Sequence, residues 1–122
     1  MIKLTTNLIS ASTVQALAEA LRINQAYGIS ADVFEEAVST NACASVLASM
    51  KIPSMASGDF APHFSLANML KDARYAIDLA SRHELEAPGI STTAERMQAL
   101  TDKGLGALDF SVLFQQFPPH DS

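Results

Sequence analysis

An all-α fold is predicted by three features of the sequence. Alanine, leucine and methionine are frequent, while alternating runs of β-branched residues are scarce. Apolar residues recur at helical spacing in several separate stretches, first over Leu4, Leu8, Ala11, Leu17 and Leu21. Serine, aspartate, glycine and proline fall between those stretches, where caps and breaks belong. Together these describe a bundle of about six helices built on one long N-terminal helix. The chain has 122 residues, which suits a single domain with a real core.

The first helix is predicted from Ile2 to Tyr27. Ile9, Ala16, Ala20, Ile23 and Tyr27 widen its apolar stripe, so it should be contacted on more than one side. It would be about 39 Å long at ~1.5 Å per residue, long for so small a domain. Gly28 ends it, with Ile29 as the apolar residue after the cap. Ser30 caps a second helix that ends near Asn41, with Val33, Phe34, Ala37 and Val38 on its buried side. Asp32, Glu35 and Glu36 lie near its positive end. A short third helix, Ala44 to Met50, stops before Pro53. The stretch "IPSMASGDFAPHF" is expected to be a loop across the domain. Ser65 caps a fourth helix, Leu66 to His83, with Met69, Leu70, Ala73, Ala76, Ile77 and Ala80 facing the core. After the break "EAPGIS", a fifth helix runs from Thr92 to Lys103 and ends at Gly104. Asp109 caps a last short helix carrying Phe110, Leu113 and Phe114, which Pro118 and Pro119 stop. The tail "PPHDS" is expected to fray.

Composition excludes several classes. With 48% hydrophobic and 17% charged residues the chain is globular. A net charge of −5 with no run of Lys or Arg argues against nucleic acid and anionic membranes as partners. No apolar run approaches the ~20 residues of a membrane span. Cys43 is the single cysteine and closes no internal disulfide, so a cytoplasmic location is expected.

Two polar constellations could carry chemistry. Lys3 and Asn7 are one helical turn apart and share a face. An ammonium there can exchange a proton with a bound oxygen once burial favours its neutral form, and an amide beside it can position the same ligand. The spacing equally describes a solvated lysine and a polar asparagine at a helix terminus, the commoner case. Phe64, Asn68, Lys71 and Tyr75 lie near one face of the fourth helix with Asp72 beside them, again a pattern that a solvated face would produce. His63, His83 and His120 show no metal-ligand spacing, so no metal site is predicted. Cys43 has no neighbouring histidine and reads as a small, half-buried thiol. The "GLG" at Gly104 to Gly106 follows a helix and reads as a turn. The five methionines read as core filler.

Taken in order, these stretches resemble a known family. "KLTTN", with Lys3 and Asn7, is similar to the second half of the GxGxxxKxxxN motif of the β-hydroxyacid dehydrogenases, the family of 3-hydroxyisobutyrate dehydrogenase and tartronate semialdehyde reductase. "PHFSLANMLKD" resembles that family's PxFxLxLMxKD segment through Pro62, Phe64, Leu66, Met69, Lys71 and Asp72, with Asn68 where leucine is usual. "GLGALDFS" resembles its GxGxxDxS stretch through Gly104, Gly106, Asp109 and Ser111. "AYGISADVFEEAVS" looks like its glycine-containing turn, with Ser30 in place of the usual aspartate neighbourhood.

The resemblance covers nearly the whole chain and implies its C-terminal helical domain, residues 1–122. The preceding NAD- or NADP-binding Rossmann domain and the glycines of GxGxxxK would fall before Met1. It implies hydride transfer between a nicotinamide cofactor and a small 3-hydroxy acid, with Lys3 as general acid/base and Asn7 positioning substrate. Phe64 and Lys71 would approach the nicotinamide, and Asp72, grouped with them, would orient Lys71 or its helix. The chain alone should then be inactive, and pair as a homodimer or tetramer through this domain. A non-enzymatic helical interaction module that kept the fold is the alternative, and a stop codon immediately upstream would favour it.

Overall fold

The computed structural model describes residues 1–119. Five α-helices and a closing 3₁₀ helix pack without a sheet among the described residues. The order is α1 (Ile2–Ala26), α2 (Ala31–Ser39), α3 (Val46–Ser57), α4 (Leu66–Ser81), α5 (Pro88–Asp102) and the 3₁₀ helix Phe110–Gln116. His120 and the end of the tail expected to fray lie outside the described residues.

Helix α1 is the axis of the bundle and touches every other element. Ala11, Val14, Leu17, Ala18 and Leu21 are buried along it. The first ten residues include no buried side chain, and Leu4 and Leu8 are only half-buried. Its end is a Schellman turn: the Gly28 N–H donates to Gln25 and the Ile29 N–H to Asn24. Gly28 sits at φ +78°, where an L side chain would be strained. The same device ends α5, with Leu105 donating to Leu100 and Gly104 to Thr101.

The caps expected at Ser30 and Ser65 form, and Ser45 caps α3, which the sequence reading had begun at Ala44. Ser30, Ser45 and Ser65 each accept from the backbone N–H three residues on. Only Phe34 and Val38 of the second helix are buried; Val33 and Ala37 face outward. A nine-residue helix held by α1 and α3 has too little contact to bury a wider stripe.

One break expected from proline is absent and another is shorter than expected. Helix α3 runs through Pro53 to Ser57, so half of the expected loop is helical. Lys51, Ile52 and Met55 are buried on either side of the proline, and that burial outweighs the lost backbone hydrogen bond. Pro53 itself points outward. Pro88 is the first residue of α5 and starts that helix instead of preceding it, because an N1 proline lacks only an N–H that would have no intrahelical partner.

Of the methionines, Met55, Met69 and Met97 fill the core, whereas Met1 and Met50 are exposed. Cys43 is exposed, not half-buried, in the turn between α2 and α3.

Candidate functional site

The side-chain amide of Asn7 donates to the Asp72 carboxylate at 2.7 Å. This bond joins the second turn of α1 to the second turn of α4, 65 positions apart in sequence. Asp72 is buried and Asn7 half-buried. Asp72, expected to orient Lys71 or its helix, thus accepts from Asn7 and ties α4 to α1. The reason is geometric: Lys71 points to solvent, while Asp72 faces inward against α1. A carboxylate can only accept, so the amide NH₂ must face it, and the carbonyl oxygen and second N–H of Asn7 remain for another ligand.

Lys3 lies one turn before Asn7 and is exposed. Its backbone carbonyl accepts from the Thr6 hydroxyl, but its ammonium group has no partner among the described residues. Lys71 is also exposed.

Phe64 precedes the α4 cap and is fixed at several points. Its N–H donates to the Asp109 carboxylate at 3.1 Å, and its carbonyl accepts from the Phe110 N–H at 2.9 Å. Its ring meets that of Phe110 edge-on, with centroids 6.4 Å apart. It stays half-buried, so part of the ring faces out.

Behind Phe64 lies a buried ion pair that the sequence reading missed. Lys51 Nζ on α3 donates to Asp109 Oδ2 at 2.9 Å, with both side chains almost fully buried. The same carboxylate accepts from the Ser111 hydroxyl at 2.6 Å and from the backbone N–H groups of His63, Phe64 and Ser111. The Lys51 ammonium also sits 4.8 Å from the Phe110 ring centroid. Burial alone would raise the Asp109 pKa, but the hydrogen bonds from Ser111, Lys51 and the backbone overcome it and hold the carboxyl at about 2. Asp109 had been legible as a cap and as part of the "GLGALDFS" stretch. Nothing in the sequence around Lys51 marked it, because a helical lysine is ordinarily solvated.

The turn at Gly104 to Asp109 closes the start of α4. The Leu66 and Ala67 N–H groups donate to the carbonyls of Leu108 and Gly106, and the Asn68 N–H to Ser65. The first three amides of α4 are thus satisfied internally and present no phosphate cradle.

Lys3, Asn7, Phe64, Lys71 and Asp72 line neither the α2–α3 cleft of about 380 Å³ nor the α1–α5 cleft of about 550 Å³. Among the described residues no group of three His, Cys, Asp or Glu side chains could hold a metal ion. No helix there is long and apolar enough to cross a membrane.

The sheetless bundle of helices built on α1 is the architecture of the C-terminal domain of 3-hydroxyisobutyrate dehydrogenase-like proteins. The chain belongs to the family described as "NAD-binding of NADP-dependent 3-hydroxyisobutyrate dehydrogenase", whose model matches residues 1–117. It is 32% identical over 119 residues to the mitochondrial 3-hydroxyisobutyrate dehydrogenase of Drosophila melanogaster, covering 92% of this chain and 37% of that protein. It is 30% identical over 113 residues to the chloroplastic glyoxylate/succinic semialdehyde reductase 2 of Arabidopsis thaliana, covering 93% of this chain and 32% of that protein. The solved Mycobacterium tuberculosis 3-hydroxyisobutyrate dehydrogenase with L-serine superposes with a TM-score of 0.84 at 27% identity, covering 93% of this chain and 41% of that one. The chain thus spans about a third to two-fifths of the length of the proteins it matches.

These relatives correct the expected cytoplasmic location. One is named as chloroplastic and one as mitochondrial. A lone unpaired cysteine reports that the chain closes no disulfide on itself and does not distinguish between such compartments.

Proposed function

We propose that this chain is the C-terminal helical domain of an NAD(P)-dependent oxidoreductase acting on a small 3-hydroxy acid. The observation that carries the reading is the Asn7–Asp72 bond, which fixes an amide one turn from an exposed lysine. An apolar cofactor face and an anionic, hydroxyl-bearing substrate suit that donor set.

The residues present fit the nicotinamide end of such a cofactor. Phe64 offers a braced, partly exposed ring, and Lys71 an exposed ammonium group. The satisfied amides at the start of α4 leave the phosphates to a preceding Rossmann domain. When bound, the nicotinamide supplies or accepts the hydride. The choice between NAD and NADP belongs to that preceding domain.

Lys3 takes the substrate hydroxyl proton in oxidation and returns a proton to the carbonyl oxygen in reduction. As a base it acts through its neutral amine. Asn7, its orientation fixed by Asp72, presents its remaining carbonyl and N–H to the substrate. Asp72 contributes by holding Asn7 in place, and through it α4 to α1.

The oligomer is part of the same proposal. Ile2, Ile9, Ala16 and Ile23 fall seven residues apart on α1 and are all exposed, and Tyr27 extends the stripe. This is the spacing of a seam against another helix, and it supports a homodimer or tetramer formed through this domain.

The test is NAD- and NADP-linked oxidation of 3-hydroxy acids by the full-length enzyme, wild type beside Lys3→Ala. A loss of about 10²-fold or more, with the fold retained by circular dichroism, supports Lys3 as the acid/base. Undiminished activity overturns that role. The 122-residue chain on its own should show no turnover.

A further inference from the structure

Asn68 lies in the first turn of α4, exposed, between the two groups assigned to the nicotinamide. Phe64 precedes it by four residues and Lys71 follows it by three. Residues three and four apart on a helix are surface neighbours, so Asn68 adjoins Lys71 and also Asp72, the partner of Asn7. Phe64 comes just before the Ser65 cap, which accepts from the Asn68 N–H at 3.2 Å and so ties this turn to the end of the loop.

The fold makes no use of the Asn68 side chain. The chain has four asparagines, and three of their side chains are engaged. Asn7 donates to Asp72, Asn24 donates to the Ala20 carbonyl, and Asn41 accepts from the Cys43 N–H. The Asn68 amide has no partner among the described residues. Ser65 supplies the cap, so Asn68 does not serve as one. Asparagine is also a poorer helix former than the leucine usual at this place in the motif that the segment resembles. Its donors and its acceptor are left for a ligand.

We infer that Asn68 is a further cofactor-binding residue, whose amide pairs with the carboxamide of the nicotinamide; this rests on the function proposed above. An asparagine amide both donates and accepts. A primary carboxamide does the same, so two such groups can form two hydrogen bonds at once. The chain already holds a pair of this kind, Gln15 with Gln116, at 3.0 and 2.7 Å. Phe64 offers the ring an apolar face and Lys71 offers a charge, but neither side chain has the acceptor that the carboxamide NH₂ requires. Asn68 supplies it through Oδ1. Leucine could make neither bond, so the contact belongs to the position at which this chain departs from the motif.

The experiment is isothermal titration calorimetry of the full-length enzyme, native and Asn68→Leu. The probes are NAD and NADP, each beside its 3-acetylpyridine analogue, in which a methyl group replaces the carboxamide NH₂. The native enzyme should prefer the natural cofactor to its analogue by about tenfold more than the variant does. A purely structural role would weaken both ligands alike and leave that preference unchanged. Asn68 is exposed, so the variant should keep the fold. A native preference equal to or smaller than that of the variant overturns the inference and leaves the proposed function standing. Failure of the native enzyme to bind either natural cofactor overturns the proposed function, and this inference with it.

Discussion

Asn7 on α1 and Asp72 on α4 share a hydrogen bond of 2.7 Å that ties the two helices together. It gives a buried carboxylate a donor and fixes which way the amide faces. Asp72→Ala should destabilise the chain by about 1–3 kcal/mol, since it strands the Asn7 amide and opens a void. Asp72→Asn keeps an accepting oxygen and should cost less. Urea denaturation of the three proteins checks the ranking; equal stabilities would mean that the bond contributes nothing.

Lys51 and Asp109 form the ion pair that holds α3 against the loop before α4. Asp109 also braces Phe64 through its N–H. Lys51→Met removes one charge and leaves the other buried, at a cost of about 3–5 kcal/mol. The same variant should loosen the Phe64 amide, because the carboxylate that receives it loses its counter-charge. Hydrogen exchange at Phe64 that rises more than at Leu17 in the α1 core would show the effect reaching the proposed cofactor face.

The Asp109 carboxyl also sets an acid limit. Its folded pKa is about 2, below the ordinary 3.8. A group depressed in this way contributes stability that is full above its unfolded pKa and is lost as pH falls through the folded value. The window is therefore about pH 4 down to 2, and the contribution is about 2 kcal/mol. Urea midpoints measured across that window should fall in the native chain. In Asp109→Asn stability should be lower at neutral pH and change less on acidification.

The parts of the fold that were legible in the sequence are those fixed by local backbone chemistry. Gly28 needs a positive φ and has an apolar residue after it, so the end of α1 could be placed within a residue. Ser30 and Ser65 are each followed by amides with no helical partner, so both caps could be placed as well. Pro53 misled because its local penalty is opposed by burial of Lys51, Ile52 and Met55, which only the assembled bundle provides. The site divides in the same way. Lys3 and Asn7 share a face by spacing alone, whereas the partner of Asp72 is 65 positions away. Lys51 carried no sign of burial, since its counter-charge comes from a turn 58 positions later.

The outward stripe on α1 offers a test of assembly. Ile9 and Ile23 are 63% and 59% exposed. The chain should sediment as a dimer at tens of micromolar, and Ile9→Glu with Ile23→Glu should shift it to monomer. Both residues face solvent in the single chain, so the fold should survive the change. A dimer that persists in the double variant would move the interface to another face.

Pro53 gives a prediction of opposite sign. It sits in the interior of α3, where its ring removes the hydrogen bond to Ser49 and crowds that carbonyl. The side chain is exposed, so alanine would vacate no core space. Alanine restores the donor and is the better helix former by up to about 3 kcal/mol. Against this, proline narrows the unfolded ensemble by about 0.4–1 kcal/mol, an advantage that the substitution gives up. The helical term is the larger, so Pro53→Ala should raise the stability of the chain by about 1–2 kcal/mol. Thermal unfolding would read this as a higher midpoint. A lower one would mean that the fixed backbone of Pro53 is what seats Lys51 against Asp109, and the ion pair rather than the helix would then govern this segment.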